Sequence, residues 1–439
     1  MDARSLRAGL AAGTAMLALT IGVSLGTASP AMAQSSAAGG AASEVQELRQ
    51  QVQQLLSRIE TLEKAQAAAP APAPAAPTAA APAPAPTPTV APVAMITQGN
   101  QKVKVTLGGW LNRALVYGDN GADSDVLFVD NNGASSRLTL TASGQVTERL
   151  SFGSVLEMEA ISNNSRTTNI KQSSSAMSFN ERKMEVWAEM KGVGRLWVGQ
   201  GDMATQAIAE VDLSGTGNLG LYSDLGATFG GLAFNRTRGT GPQANINAAM
   251  PHYDGFGNAR DDRIRLDTTN LNGFVLSTSV SHDGNSDLAL RYTGKVGDTN
   301  LAAAVGYGDW ATRVNAANDD LLAGSISARF ASGFTATVAA GRQGFRAANR
   351  DTGSFIYGKV GYIAKLTPIG DTAFAVDYYD NSDTVANGSE GTAYGFTIAQ
   401  QLTPINSEVY FGIRNHELSA PGTNYDDVLA ILTGARIRF

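Results

Sequence analysis

Charged residues recur at two-residue spacing in short segments of this chain, and their chemistry is electrostatic. Glu157 and Glu159 share one face of a predicted strand, because successive side chains of a strand point to opposite sides. Rows of fixed charges of this kind attract or repel small ions. The basic residues predicted to line such a wall are Arg137, Arg195, Arg263, Arg265 and Arg291.

A long segment at 203–260 carries the acidic counterpart of these arginines. It has no regular strand alternation apart from a short stretch at 229–237. We predict a single loop folded against the basic wall, where the two signs of charge would set up a transverse field. Its acidic residues, including the one at its root, are Asp202, Glu210, Asp212 and Asp224. For any one of these acidic residues taken alone, the alternative is an ordinary solvated surface charge. The prediction therefore depends on all of them together.

The usual components of a catalytic site are sparse. The chain has no cysteine, and its three histidines fall on predicted loops or strand ends. The segment SGTGNLG has GxGxxG spacing, but no strand leads directly into it and no helix follows. We therefore predict no enzyme, no metal site and no cofactor. The acidic stretch 119–130 leaves two alternatives open, a divalent cation that bridges lipopolysaccharide or a solvated loop.

The first 33 residues have the pattern of a signal peptide. Arg4 and Arg7 precede an apolar run, and Ala31-Met32-Ala33 is a small-x-small cleavage site. The alternative is an uncleaved membrane anchor. No later stretch approaches the ~18 consecutive apolar residues of a spanning helix. With a net charge of -6 over 439 residues, the chain shows no electrostatic sign of a nucleic-acid partner.

Residues 34–65 predict a periplasmic coiled-coil stalk. The apolar spacing alternates three and four residues over about three heptads, and a lone amphipathic helix is the alternative. The seam residues are Val45, Leu48, Val52, Leu55, Ile59 and Leu62. Val or Ile at heptad position a with Leu at position d favours a coiled coil of two helices, whereas Leu56 beside the seam favours one of three helices. Residues 66–101 hold most of the fifteen prolines and predict an extended Ala/Pro-rich linker.

The remaining body, 102–439, predicts a membrane barrel. It contains sixteen short alternating segments separated by turns that are tight and long in turn, as in an up-and-down barrel. The long ones include residues 118–134, 162–180 and 311–319. Sixteen strands enclose a lumen too wide for side chains to fill. The apolar face must then point outward into lipid and the polar face into water. A secreted β-solenoid or propeller is the alternative, but no fixed repeat supports it.

Aromatic residues of the apolar face lie beside the tight turns and predict a girdle at one membrane interface. They are Phe152, Phe274, Tyr292, Phe330, Phe334 and Phe374. Ile437 and Phe439 belong to the outward row of the last strand. We expect the ring of Phe439 to anchor that strand at the periplasmic interface.

Two segments carry a resemblance to a known family. ARIRF resembles the terminal signal that the barrel-assembly machinery reads, and DDRIRLDTTNLNGFVLSTSVS resembles a strand pair of the Gram-negative general porins. Leu266 stands where those porins have tyrosine, and Thr269 where they have proline. The resemblance implies a trimer of sixteen-stranded barrels with the third loop folded inward. A coiled coil before the barrel is similar to that of phosphate-selective porins.

The sequence as a whole predicts an all-β transmembrane barrel of sixteen antiparallel strands. If 229–237 were a wall strand the count would be odd, so that stretch is assigned to the long loop. We expect a water-filled channel for passive diffusion of small hydrophilic solutes in the outer membrane. A phosphate-type selective porin and a tether to the cell wall remain alternatives. Expected partners are a homotrimer, outer-membrane lipid and lipopolysaccharide, the assembly machinery and, through the stalk, peptidoglycan.

Overall fold

A computed structural model describes Ser57 and residues 102–217, 225–241, 243–251, 260–310 and 317–439. The predicted signal peptide, the predicted Ala/Pro-rich linker and the predicted heptad seam lie outside the described residues. No helix within the described ranges is long and apolar enough to cross a membrane.

The described chain from Lys102 onward forms one sheet of nineteen strands. The strands are β1 (Lys104–Asp119), β2 (Ser124–Asp130), β3 (Arg137–Gln145), β4 (Leu150–Ile161), β5 (Ser178–Met190), β6 (Gly194–Asp202), β7 (Arg236–Arg238), β8 (Arg260–Thr268), β9 (Phe274–Ser281), β10 (Ser286–Val296), β11 (Thr299–Asp309), β12 (Asn318–Arg329), β13 (Phe334–Phe345), β14 (Gly353–Thr367), β15 (Gly370–Ser382), β16 (Glu390–Leu402), β17 (Ser407–Ala420), β18 (Thr423–Tyr425) and β19 (Val428–Arg438). Two helical turns, Leu225–Phe229 and Ile246–Ala249, lie between β6 and β8.

The sheet closes on itself because β1 pairs with β19. Their antiparallel register runs from Trp110 opposite Arg438 to Asp119 opposite Leu429. On its other side β1 pairs with β3 through its first half and with β2 through its second half. A barrel closed in this way leaves no unpaired strand edge in the membrane.

β2 and β3 together form one wall strand, interrupted by the turn Asn132–Ala134. Counted in this way, and without the short strands β7 and β18, the wall has sixteen antiparallel strands, which confirms the predicted number. The stretch 229–237 adds no wall strand; instead β7 pairs with β18. One local prediction was wrong. Residues 118–134 were expected to be a long loop, but β1 continues to Asp119 and β2 returns after the turn 120–123.

The two faces of the wall divide as the alternation predicts. Outward-facing side chains are apolar and exposed; examples are Leu138, Met184, Val186, Ile264, Leu266 and Val409. Inward neighbours such as Glu157, Glu185 and Arg263 are buried. An apolar exterior over a polar inner wall is the arrangement of a barrel surrounded by lipid.

The two rims differ in loop length. Short turns join the strands at one rim, at 146–149, 191–193, 269–273, 297–298, 330–333, 368–369 and 403–406. Most connections at the other rim are longer. The turns 120–123 and 282–285 are as short as those of the first rim, so the expected alternation of short and long loops has two exceptions.

Part of the barrel interior is apolar. The chain between β6 and β8 folds inward, and its apolar residues pack with inward wall residues in one buried cluster. Members of the cluster include Ile208, Phe229, Leu232, Ile246 and Met250 from the loop and Val116, Leu321, Tyr357 and Tyr379 from the wall. Small inward residues such as Ala304, Gly306 and Ala323 leave room for this packing. The expectation of a lumen that is polar throughout is therefore corrected.

Candidate functional site

Residues 203–217, called the ribbon here, run along the inner wall from β9 to β15. The Ala204 amide donates to Ser279 Oγ at 2.8 Å, and the Thr205 amide donates to Asp287 Oδ2 at 2.7 Å. Further on, the amides of Val211 and Leu213 donate to wall serines of β12. These bonds fix the backbone of the ribbon to successive wall strands.

An ion pair fastens the far end of the ribbon. Lys359 Nζ of β14 lies 2.8 Å from Asp212 Oδ2, and the two side chains are only 1% and 3% exposed. Burial acts to raise the pKa of the Asp212 carboxyl. The Lys359 ammonium and hydrogen bonds from Lys359 and Ser214 outweigh burial and hold that pKa below its ordinary value of 3.8. Asp212 is thus an anchor of the loop, with no free carboxylate facing the lumen.

Arg291 anchors the near end of the ribbon. Its Nη2 donates to the carbonyl oxygens of Ala204 at 2.8 Å and Gln206 at 2.6 Å. Arg291 is one of the five predicted wall arginines. It contacts the loop through backbone carbonyls and not through the predicted acidic residues.

Asp202 marks the root of the long loop, at the end of β6. Its carboxylate accepts a hydrogen bond from Lys183 and lies 3.5 Å from Arg260 Nη1. Two cations of neighbouring strands therefore share this one carboxylate. Glu210 is half-buried on the ribbon, and Asp224 lies outside the described residues.

The inward charges of β3–β8, called the charged strip here, pair with one another. Arg137 Nη1 lies 3.3 Å from Glu157 Oε1, and Arg182 contacts Glu157 at 2.8 Å and Glu159 at 2.9 Å. Sequence analysis did not predict a role for Arg182. A bulge opposite Glu157 and Met158 shifts the register of β5, so strict alternation does not reveal that Arg182 faces these carboxylates.

The other arginines of the strip also have acidic neighbours on the wall. Arg263 is buried with Glu185, and its Nε donates to the Asp202 carbonyl at 3.0 Å. Arg265 Nε donates to Asp267 Oδ1 at 2.8 Å. The pair Arg263–Glu185 joins β8 to β5 across β6, and the pair Arg265–Asp267 lies within β8. The structure therefore places the acid beside the base on one wall.

Arg195 lies between two tryptophans near the short-turn rim. Its guanidinium carbon is 4.4 Å from the ring centre of Trp187 and 5.0 Å from that of Trp197, distances typical of cation–π contacts. The guanidinium also donates to Glu189. Arg195 and Glu189 are 36% and 40% exposed, the most open ion pair among these charges.

The terminal strand meets the first strand at Phe439. Its amide and carbonyl exchange hydrogen bonds of 3.1 Å with Gly109. The ring lies over Gly109, with ring carbon Cζ 3.1 Å from the position that a Cβ would take there. Ile437 and Phe439 are exposed on the outer face, as are Phe152, Phe274, Phe330 and Phe334 near the short turns. Of the predicted girdle, Tyr292 and Phe374 are only partly exposed, whereas the other four rings are exposed on the outer face.

The histidines and glycines that were considered for catalysis do not come together in the described residues. His282 is exposed beside Asp283, and His416 is buried against the ring of Phe229; His252 lies outside those residues. Gly215 belongs to the ribbon and faces Ala373 of the wall. Within the described ranges no group of histidine or acidic side chains could hold a metal ion.

A closed sixteen-stranded barrel with an apolar belt and a charged inner wall defines an outer-membrane channel. The chain belongs to the Gram-negative porin family, which it matches over residues 67–420. Membership in this family makes it an outer-membrane channel for passive diffusion. No curated protein sequence matches the chain.

Solved structures show the same fold at low sequence identity. The anion-selective porin from Comamonas acidovorans is 16% identical, with 77% of this chain and 100% of that chain covered and a TM-score of 0.54. A loop L8 deletion mutant of OmpT, an outer membrane protein of Vibrio cholerae, is 12% identical, with 77% and 100% covered and a TM-score of 0.53. OmpT folded in vitro, in its trimer form, is 12% identical, with 77% and 100% covered and a TM-score of 0.51.

Proposed function

We propose that small hydrophilic solutes cross the barrel along the charged strip of β3–β8. The observation that supports this path is the asymmetry of the inner wall. On the far side the ribbon covers β9–β15 and buries wall residues such as Ser327, Thr337 and Lys359. The strip keeps partly exposed charges at Lys183, Asp202, Arg195 and Glu189. Water and solutes therefore meet the strip, and the loop narrows the lumen opposite it.

The paired charges of the strip favour weak ion selectivity. Arg137, Arg263 and Arg265 each have a carboxylate within contact distance, so the opposite charges of each pair largely cancel at distances greater than their separation, and salt screens the remainder. A phosphate-type selective channel would require unpaired cations. Lys183 and Lys359 are both ion-paired, which makes that alternative less favoured.

The decisive experiment is conductance in planar bilayers. We expect single-channel conductance that rises with salt concentration and a small reversal potential in a salt gradient. A barrel that inserts but carries no current would be an anchor, as the tether alternative requires. A large reversal potential would contradict the cancellation of charges within the strip.

A homotrimer is proposed from one charged residue on the outer face. Arg113 points outward between Leu111 and Leu115; its side chain is 45% exposed, and its Nη1 donates to the Ser162 carbonyl at 2.7 Å. An arginine in contact with lipid costs about 2–4 kcal/mol near the bilayer midplane and less toward the interfaces. Covering this face by another copy of the chain removes that cost. OmpT of Vibrio cholerae has a trimer form.

The segment before the barrel is proposed to be a periplasmic stalk. Association through the heptad seam would hold three chains in register or bring them to peptidoglycan. A peptide of residues 43–66 should then self-associate in sedimentation experiments at high effective concentration; a monomeric peptide would favour a single helix that binds another partner. We further propose that Ile437 and Phe439 present the assembly signal, and that lipid and lipopolysaccharide surround the apolar belt.

A further inference from the structure

A cleft at the loop-bearing rim lies apart from the charged strip. It has a volume of about 310 Å³, and three segments form its walls: the turn 120–123, the loop before β5 and the inward lobe at 225–251. Its polar lining includes Asn120, Asp123, Asn169, Lys171, Asn235 and Gln243. A cavity of this volume is at the small end of the range for ligand sites and suits a molecule of a few carbon atoms.

Hydrogen bonds to the lobe hold the walls of the cleft in place. Asn120 Nδ2 donates to the Ala233 carbonyl at 3.1 Å, and Gln243 Nε2 donates to the Phe234 carbonyl at 2.7 Å. Asn235 Nδ2 donates to Asp426 at 2.8 Å. These bonds use amide N–H groups. Within the described part of the chain, the side-chain carbonyl oxygens of Asn235 and Gln243 receive no protein donor.

Two opposite charges, those of Asp123 and Lys171, border the same cleft. Among the described residues, neither Asp123 nor Lys171 forms an ion pair or a side-chain hydrogen bond. A carboxylate with two carbonyl oxygens nearby suits an ammonium group, and a lysine ammonium suits a carboxylate. The lining thus offers complementary groups for both ends of one small zwitterion.

We propose that this cleft captures small zwitterionic solutes of the α-amino-acid class at the outer mouth of the channel. Asp123, Asn235 and Gln243 would receive the ammonium group, and Lys171 the carboxylate. This assignment rests on the proposed channel function, because the cleft would concentrate solutes next to the passage that transports them. The lobe that narrows the lumen supplies Ala233, Phe234, Asn235 and Gln243 to the lining, so a bound solute would lie against the loop that borders the passage.

The test uses the whole protein in planar bilayers, with L-alanine added to the loop-bearing side. The current noise should increase with the concentration of alanine and reach half of its maximum at a defined concentration, the half-saturation concentration. In Asp123→Asn and in Lys171→Gln the half-saturation concentration should rise about tenfold, since each variant loses a charge-assisted hydrogen bond. Asp125→Asn, which removes a neighbouring exposed carboxylate on β2, is the matched control and should behave like the unaltered protein.

The outcomes separate this proposal from the channel itself. Conductance in plain salt without an alanine effect would overturn the capture site and leave the channel intact, whereas absence of any conductance would refute the channel. Equal half-saturation in all variants would also overturn the site. An equal response to glucose, which carries no charge, would show that the cleft recognises hydroxyl groups instead of a zwitterion.

Discussion

Asp212 of the ribbon and Lys359 of β14 form an ion pair 2.8 Å apart, far from each other in sequence and almost completely buried. The pair determines where the ribbon lies on the wall. Breaking it with Asp212→Asn or Lys359→Met leaves a buried polar or charged group without compensation, which costs about 3–5 kcal/mol in comparable buried pairs. We expect larger current fluctuations and faster proteolysis of the ribbon in each single variant.

A double variant, Asp212→Asn with Lys359→Met, tests whether the effect belongs to the pair. It should restore part of the stability of the ribbon, because no buried charge is then left alone. Ser325→Ala, which removes two hydrogen bonds to the ribbon, one from the Val211 amide and one to the Ile208 carbonyl, is a milder control worth about 1 kcal/mol for each bond. Additive effects of the two pair variants would contradict a direct coupling.

Acid should loosen the same attachment. The pKa of Asp212 lies below its ordinary value of 3.8, so the pair contributes fully above that value and is lost as the pH falls through the lowered one. We expect current noise to rise only below pH 3.8 in the unaltered protein. Asp212→Asn should show the higher noise at every pH. A noise transition near neutral pH that Asp212→Asn retains would point to another group.

Removing one charge of the strip should shift ion selectivity. Asp202→Asn leaves Lys183 and Arg260 without their shared carboxylate, so the reversal potential in a salt gradient should move several millivolts toward anion preference. Lys183→Met should move it toward cation preference. Asp262→Asn removes an exposed acid next to the strip in sequence and serves as the control. Identical potentials in all of these proteins would place the passage elsewhere.

Replacing Arg113 with leucine discriminates between lipid and protein on that face. If another copy of the chain covers the residue, Arg113→Leu should weaken the oligomer, which native gels and sedimentation would measure. In contact with lipid the same change would remove an unfavourable charge and leave assembly unaffected. Arg342→Leu, on the outer face of β13 beside Asp320, is the matched control.

Phe439→Ala should impair assembly of the barrel. The variant removes an exposed interfacial ring and its packing over Gly109, at the junction that closes the sheet. We expect a several-fold lower yield of heat-resistant protein in outer-membrane fractions. Phe411→Ala removes an outward ring away from that junction and should have a smaller effect. Equal yields for both variants would mean that assembly depends on exposed apolar surface in general and not on the packing of Phe439 over Gly109.

The wall could be predicted from sequence because its period is local. Alternation identified the sixteen strands and the polar inward row that contains Glu157 and Arg263, since every second residue shares a face. The partners of those charges could not be predicted. Arg182 joins Glu157 through a bulge in register, and Asp212 reaches Lys359 only after the loop folds back across the lumen. Both depend on contacts between distant segments.

The strand β2 was missed for a related reason. Its sequence SDVLFVD is short, has an aspartate near each end and lies within the stretch that was assigned to a loop. It becomes a strand because the second half of β1 offers unpaired backbone groups beside it, and buried or lipid-exposed backbone must be hydrogen-bonded. The apolar packing of the loop against the wall was likewise not predictable, because small inward residues indicate space but not which residues fill it.

The pairing of β1 with β19 has a kinetic consequence. The two partners lie at opposite ends of the barrel sequence, and such non-local contacts form late and slowly. The first wall strand therefore cannot complete its hydrogen bonds until the last one has been translocated. During that interval its apolar face and free edge are open to aggregation. Shielding of that edge until closure is thus a requirement that the topology itself imposes.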